Sequence, residues 1–252
     1  MSPIRQTPKY MSKKKSFIRF TRKWLTRLVV FFFASTIFFT LLYKWVPPPV
    51  TPLMIIRLFD QKAADKPLIF QKDWTRIENI SDQMPLAVLV CEDQNFMKHH
   101  GFDLESIKKA QKHNEKNRRK RGASTITQQT AKNVFLWPQR SWFRKGLEVY
   151  FTALIEIFWS KKRIMEVYLN VIEMGDGIYG AEKASQIYFR KPAKKLSRYE
   201  AALIAVCLPN PIKMKPTSLT SYRLRRQAWA VRQMSYFYPL EFDKKKEKKK
   251  EK

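Results

Sequence analysis

An uncharged apolar run near the N-terminus constrains this chain more than any other feature. Residues 28–43 contain no charged side chain, and Trp24, Tyr43 and Trp45 flank or end the run. A helix rises ~1.5 Å per residue and must cross a ~30 Å hydrocarbon core, so the flanking aromatic residues are needed to complete a span. We therefore predict a transmembrane helix at 24–46. A buried core helix or the apolar region of a cleaved signal peptide are the alternatives.

The charges before this run predict its orientation. The first 27 residues contain nine Lys or Arg and no acid, and such a flank stays on the cytoplasmic side of a membrane. Residues 1–23 are therefore predicted to be a basic cytoplasmic segment, and residues 47 onward to lie across the membrane, in the periplasm or outside the cell.

The charge of the whole chain predicts an anionic partner. Fifty Lys and Arg stand against 21 Asp and Glu, giving a formal net charge of +29. Nucleic acid, anionic membrane lipid and a phosphate-bearing substrate are the classes that fit such a charge. A domain outside the cytoplasm makes nucleic acid a poor candidate, so we expect no nucleic-acid partner.

The rest of the chain is predicted to be one mainly α-helical domain. Hydrophobic residues make up 44% of the chain, enough for a core. We predict a proline-rich exit and linker at 47–80, the main domain at 81–240 and a lysine-rich tail at 241–252. Apolar periodicity and capping signals predict helices at 84–94, 103–112, 124–136, 142–159, 161–173, 180–188, 197–207 and 218–237. The basic segment 108–121 lacks an apolar stripe and is predicted to be a mobile loop. Cys91 and Cys207 have no metal-type spacing and are predicted to be buried free thiols.

The first candidate site is the segment 92–101, which directly follows the apolar run 86–91. Glu and Asp are seldom buried without partners, so Glu92 and Asp93 are either solvated at a helix end or held in a cleft as an acid or base. His99 alone is typical of a hydrogen-bonded structural histidine.

The second candidate site is the segment 122–133. On a helix, Thr125, Gln129 and Lys132 share one face. Hydroxyl and amide groups near a helix N-terminus, followed by a lysine, suit a phosphate or diphosphate. An exposed polar face is the alternative.

The third candidate site is Arg144-Lys145-Gly146-Leu147-Glu148. Its charges have the spacing of an ordinary helical salt bridge. The predicted core stripe of this helix contains Leu147, Phe151, Leu154 and Phe158. Glu148 is then expected beside that stripe, at the edge of a cleft.

Together these segments resemble, in order and spacing, the motifs of the family 51 peptidoglycan glycosyltransferases. Segment 92–101 is similar to the family pattern E-D-x-x-F-x-x-H-x-G. Segment 122–133 is similar to G-x-S-T-x-T-Q-Q-x-x-K-N, and 144–148 to R-K-x-x-E. Residues 168–180 and 200–209 resemble two further motifs, so the resemblance covers about residues 70–215. The stretch 170–189 looks most like the stand-alone monofunctional enzymes, although Met174 stands where an aromatic residue is expected.

The resemblance implies a lysozyme-like helical fold with a small membrane-proximal jaw, anchored in a bacterial cytoplasmic (inner) membrane. It implies polymerisation of lipid II on a growing glycan strand by inverting transfer, with Glu92 as general base and Glu148 as a second catalytic carboxylate that orients cations around the diphosphate. Its implied substrate-binding residues are Asp93, Phe96, His99, Ser124, Thr125, Gln128, Gln129, Lys132, Arg144 and Lys145. Single Ala substitutions of Lys132, Arg144 and Lys145 are expected to lower activity far more than stability.

Cofactors and further partners are less constrained. A divalent ion such as Mg²⁺ or Mn²⁺ bridging the diphosphate fits the chemistry, but no ligand cluster in the sequence demands one. Expected partners besides the substrates are membrane lipid and cell-wall synthesis or division proteins. A Lys-Thr-Gly sequence is absent, so we expect no transpeptidase activity. A lysozyme-like wall-cleaving enzyme and a non-catalytic basic scaffold are the alternative functions.

Overall fold

The computed structural model describes residues 9–118, 120–139 and 141–242, and side chains from Phe17 onward. These residues divide into two units, one ending at Trp45 and one beginning at Val46. Most of the predicted tail, 243–252, and the first eight residues lie outside the described part of the chain.

The first unit contains one long helix, α1 (Lys9–Leu42). Its segment Phe17–Leu42 has a mean hydropathy of 2.0 over its most apolar window, and its 26 residues are long enough to cross a membrane. The predicted span extended to residue 46, but the helix ends at Leu42. The amides of Lys44 and Trp45 donate to carbonyls three residues earlier, which forms a turn there.

The second unit contains nine α-helices among its described residues. Their bounds are α2 (Pro52–Ala63), α3 (Gln83–Glu92), α4 (Leu104–Lys116), α5 (Ile126–Phe135), α6 (Trp142–Phe158), α7 (Lys161–Val171), α8 (Ala181–Phe189), α9 (Arg198–Cys207) and α10 (Ser221–Phe237). The mainly α-helical fold class is thus confirmed. All eight helices predicted in this unit are present, with ends that differ by at most four residues.

The core is built around α3, whose residues 84–90 are all buried. This helix packs against α9 and α10, while α5 packs against α6 and α7. Two N-termini have the predicted capping boxes, Thr125 with Gln128 on α5 and Ser197 with Glu200 on α9. In each box, the N-cap hydroxyl accepts a hydrogen bond from a backbone amide that has no partner within the helix, and this bond fixes where the helix starts.

A small sheet joins the start of this unit to its centre. Strand β1 (Gln71–Lys72) pairs in parallel with β3 (Ile178–Tyr179), and β2 (Glu173–Gly175) pairs antiparallel with β3. Gly177 turns the chain between β2 and β3 with φ +68°. A Cβ there would lie 2.2 Å from the carbonyl oxygen of Ile69, so the close approach requires glycine.

The structure differs from the sequence prediction in two segments. Residues 47–80 are part of the second unit rather than a linker, because they contain α2 and β1 and bury Leu53 and Met54. The basic segment 108–121 is helical as far as Lys116. Beyond it, the amide of Arg121 donates to Asn114 Oδ1 at 2.6 Å, which ties the following residues back to α4.

Candidate active site

Two adjoining cavities form a cleft across the second unit. The cationic cavity, about 520 Å³, contains Arg57, Lys132, Arg144 and Lys145 together with Glu92, Glu148 and Glu173. The acidic cavity, about 760 Å³, contains Glu92, Asp93, Asp103 and Glu105 with one lysine, Lys109. Glu92, Ser124, Gln129 and Pro209 line both cavities. The cleft therefore changes from positive to negative around Glu92.

Glu92 is the last residue of the buried helix α3. The side-chain amide of Gln129, on α5, donates to its Oε2 at 2.7 Å. Burial raises the pKa of the Glu92 carboxyl, while the Gln129 hydrogen bond and the charge of Lys132 oppose that rise. A carboxylate in this state accepts a proton more readily than an exposed glutamate.

Gln129 is itself held by a second hydrogen bond. The hydroxyl of Tyr168, on α7, donates to its Oε1 at 3.2 Å. Tyr168 is fully buried, and this burial raises the pKa of its phenol well above the ordinary value. The phenol therefore remains a donor at neutral pH, and its bond turns the Gln129 NH₂ toward Glu92.

Asp93, Phe96 and His99 hold the loop after α3 in place. Asp93 is buried and accepts from His99 Nε2 at 3.0 Å and from the amide of Ile126 at 3.0 Å, which links this loop to the start of α5. Phe96 is fully buried. Asp93 lines the acidic cavity, but Phe96 and His99 line neither cavity. The positions of Phe96 and His99 fit support of Asp93 better than the predicted substrate contact.

The start of α5 brings Ser124, Thr125 and Gln128 to the cleft in different ways. Ser124 is exposed and lines both cavities. Thr125 is the buried N-cap residue, and its hydroxyl donates to the carbonyl of Gly101 at 2.6 Å. Gln128 completes the capping box and also lines the cationic cavity. Lys132 follows one turn after Gln128 and Gln129, on the same cavity wall.

Helix α6 supplies a buried carboxylate held by two cations. Glu148 accepts from Arg144 at 2.8 Å through one oxygen and from Lys145 at 2.5 Å through the other. The side chains of Arg144 and Glu148 are 9% and 4% exposed, and that of Lys145 is 42% exposed. The Glu148 carboxylate thus fixes two cations at the cavity wall.

The predicted core stripe of α6 is displaced. Leu147, Leu154 and Phe158 are only half-buried, and the buried face contains Arg144, Glu148, Phe151, Thr152 and Ile155. Glu148 therefore lies on the buried face rather than beside it. The ion pairs with Arg144 and Lys145 offset the cost of burying the Glu148 carboxylate. A periodicity of apolar residues does not detect such ion pairs.

The sequence analysis missed two charged residues of the cationic cavity, Arg57 and Glu173. Arg57 lies on the unpredicted helix α2, and its Nε donates to Glu173 Oε2 on β2 at 3.2 Å. The available signal was Arg57 itself, an isolated cation between the apolar residues of 53–56 and 58–59.

The described residues contain no group of three or more His, Cys, Asp or Glu placed to hold a metal ion. Both cysteines are free, as predicted. Cys207 is buried, but Cys91 is half-buried and lines the acidic cavity, where burial raises the pKa of its thiol to about 12.

Comparisons with known proteins agree on one family. The family model described as "Transglycosylase" matches residues 65–235. A "Biosynthetic peptidoglycan transglycosylase" of Bdellovibrio bacteriovorus is 54% identical over 206 residues, 82% of each chain. A protein with the same description from Bacteroides thetaiotaomicron is 52% identical over 245 residues, 94% of this chain and 97% of its own. A third, from Pseudomonas putida, is 50% identical over 211 residues, 84% and 89% of the two chains.

Proposed function

Because this chain belongs to the transglycosylase family, we propose that it polymerises lipid II into linear peptidoglycan strands and releases undecaprenyl diphosphate. Family membership carries peptidoglycan glycosyltransferase activity and a lysozyme-like helical fold. The identities of the donor, the acceptor and the base are our proposal. The observation that carries it is the position of Glu92, which lines both a cationic and an acidic cavity.

The cationic cavity suits the donor, the growing strand whose anomeric carbon is attached to lipid diphosphate. As the glycosidic bond to the diphosphate breaks, negative charge develops on the leaving oxygens. Lys132, Arg144 and Lys145 are placed around this cavity to stabilise that charge. Glu148 fixes two of these cations before the substrate arrives, so little reorganisation is needed in the transition state.

The acidic cavity suits the acceptor sugar of an incoming lipid II. Its 4-hydroxyl attacks the anomeric carbon of the donor with inversion, and the hydroxyl proton passes to Glu92 as the new glycosidic bond forms. The raised pKa of Glu92 moves this carboxylate toward the pH at which the enzyme works. Gln129 occupies one carboxylate oxygen, Oε2, and leaves the other for the proton.

A divalent ion bridging diphosphate oxygens remains a prediction. Glu148 has both oxygens engaged by cations. In the proposed mechanism the charge of the diphosphate is met by Lys132, Arg144 and Lys145.

We also propose a topology. With nine basic residues before the uncharged run 28–43, residues 1–23 remain in the cytoplasm and residues 47 onward face the periplasm or the cell exterior. Helix α2 would belong to the membrane-proximal jaw, because Ile55 and Phe59 are 47% and 67% exposed on the side away from buried Met54. A reporter fused after Lys252 that is active only in the cytoplasm should stay silent, and a signal from it would contradict this topology.

Incubation of the detergent-purified protein with labelled lipid II tests the reaction. We expect a linear glycan polymer and released undecaprenyl diphosphate. A wall-cleaving enzyme would instead release soluble fragments from finished peptidoglycan and leave lipid II unchanged. A scaffold would do neither, so each alternative gives a different product pattern.

A further inference from the structure

The cationic cavity has a second charged wall, and its cation, Arg57, lies outside the segments that resemble the family motifs. Arg57 and Glu173 line it together with Lys132, Arg144 and Lys145. Arg57 comes from α2, on the face that also contains the buried residues Met54 and Gln61. This cation reaches the cavity from a helix far from α6 in sequence.

Arg57 is fixed by a buried carboxylate but keeps hydrogen-bonding capacity. Its Nε donates to Glu173 Oε2 at 3.2 Å, and the side chains of Arg57 and Glu173 are 31% and 6% exposed. Its Nη1 is 3.8 Å from Asp60 Oδ2, which is beyond hydrogen-bond distance. Within the part of the chain that the structure describes, its Nη groups therefore have no acceptor, and they are available to a ligand.

Glu173 is the buried carboxylate of this pair. It is the first residue of β2 and pairs with Tyr179 of β3. Burial raises the pKa of the Glu173 carboxyl, and the charge of Arg57 opposes that rise. Burying a carboxylate is costly without a cationic partner. The placement of Glu173 is therefore explained by its contact with Arg57.

The two walls of the cavity share one arrangement. On α6, the buried Glu148 holds Arg144 and Lys145; on the other wall, the buried Glu173 holds Arg57. A diphosphate presents oxygens on two phosphorus atoms, which suits contacts from two sides. A guanidinium presents parallel N–H groups that bind two phosphate oxygens at once.

We propose that Arg57 is a further diphosphate-binding residue of the donor site and that Glu173 is the positioning residue that aims it. This inference deepens the proposed function and rests on it for the identity of the ligand. It also gives α2 a role in the active site in addition to its role in the fold.

Binding of inorganic diphosphate to the full-length protein in detergent, measured by titration calorimetry, is the first test. Arg57→Ala should weaken binding at least ~10-fold, the order expected for the loss of a charged hydrogen-bond donor. Arg57→Lys should recover part of the affinity, since it restores the charge without the fork. Lys62→Ala is the matched control, because Lys62 is an exposed cation on the same helix. It should bind as the wild type does.

The role of Glu173 is tested by a double-mutant cycle. Glu173→Gln should weaken diphosphate binding, and adding it to Arg57→Ala should cause no further loss, because Glu173 acts through Arg57. A purely structural Glu173 would give additive losses and would overturn the positioning role. Absence of diphosphate binding by the wild type, or equal binding by wild type and Arg57→Ala, would overturn the Arg57 assignment.

A measurement of lipid II polymerisation distinguishes a failure of this inference from a failure of the proposed function. An active wild type with Arg57-independent diphosphate binding refutes the inference and leaves the function intact. A wild type that binds diphosphate through Arg57 but makes no polymer refutes the function and leaves the anion site intact. If both hold, Arg57→Ala should raise KM or lower kcat/KM for lipid II, while Lys62→Ala should not.

Discussion

Arg144 and Lys145 are adjacent cations on Glu148, yet they should contribute very differently to stability. The Arg144–Glu148 pair is buried, whereas the side chain of Lys145 is 42% exposed. Removing one partner of a buried pair costs ~3–5 kcal/mol, and an exposed pair contributes ~0–1 kcal/mol. Since Lys145 still contacts Glu148 in Arg144→Ala, we expect the lower end, about 3 kcal/mol. A domain of about 200 residues loses ~2–4 °C in Tm per kcal/mol, so Arg144→Ala should lower Tm by ~6–12 °C and Lys145→Ala by less than ~4 °C.

Thermal unfolding of the detergent-purified variants, followed by circular dichroism, measures this difference. The sequence-based expectation, that Arg144→Ala lowers activity far more than stability, treated Arg144 as an exposed cation, whereas its side chain is 9% exposed. The double variant Arg144→Ala/Glu148→Ala is the control, because it removes the carboxylate that the single variant leaves with one partner. The loss of stability in the double variant should be smaller than the sum of the losses in the two single variants. Equal Tm values for Arg144→Ala and Lys145→Ala would refute the reasoning.

Two further predictions concern the hydrogen bonds around Glu92. Gln129→Leu removes a hydrogen bond that favours the charged form of Glu92, so the pKa of Glu92 should rise further. A general base acts only when it is deprotonated. The acid limb of the plot of kcat/KM against pH should therefore move to higher pH. An unmoved limb would mean that this limb does not report Glu92. Tyr168→Phe keeps the ring and removes the hydroxyl that orients Gln129. The value of kcat should fall about 2- to 10-fold, the equivalent of one neutral hydrogen bond. A variant with wild-type kcat would show that Gln129 does not need the Tyr168 hydroxyl to orient it.

Local patterns were sufficient for the helices of the second unit but not for its first residues. The capping boxes at Thr125 and Ser197 and the period of the apolar residues are local signals, and the structure confirms the helices they predict. Helix α2 was missed because the face that contains buried Met54 also contains the half-buried Arg57 and the buried Gln61. Arg57 is accommodated by Glu173, a partner 116 residues away that no local pattern contains. Gln61 bonds the backbone of Ile69, beyond the end of the helix.

The candidate site was predictable to the extent that motifs name residues, and less so for what each residue contacts. Phe96 and His99 belong to the same motif as Glu92, yet they lie outside both cavities, next to Asp93. The sequence analysis placed Glu148 beside an apolar stripe because a pattern of apolar residues assigns every charged residue to the exposed side of the helix. Its burial depends on the geometry of Arg144, which only the folded helix defines.

The central claim, that Glu92 is the base that activates the acceptor hydroxyl, is tested most directly by Glu92→Gln. This change keeps the size of the side chain and removes its ability to take a proton. The measurement is the single-turnover rate of lipid II polymerisation, together with lipid II binding by the same protein. We predict near wild-type binding and a rate ~10²- to 10⁴-fold lower, the contribution of a general base. A Glu92→Gln variant that kept more than about a tenth of the wild-type rate, against that ~10²-fold minimum, would contradict the assignment.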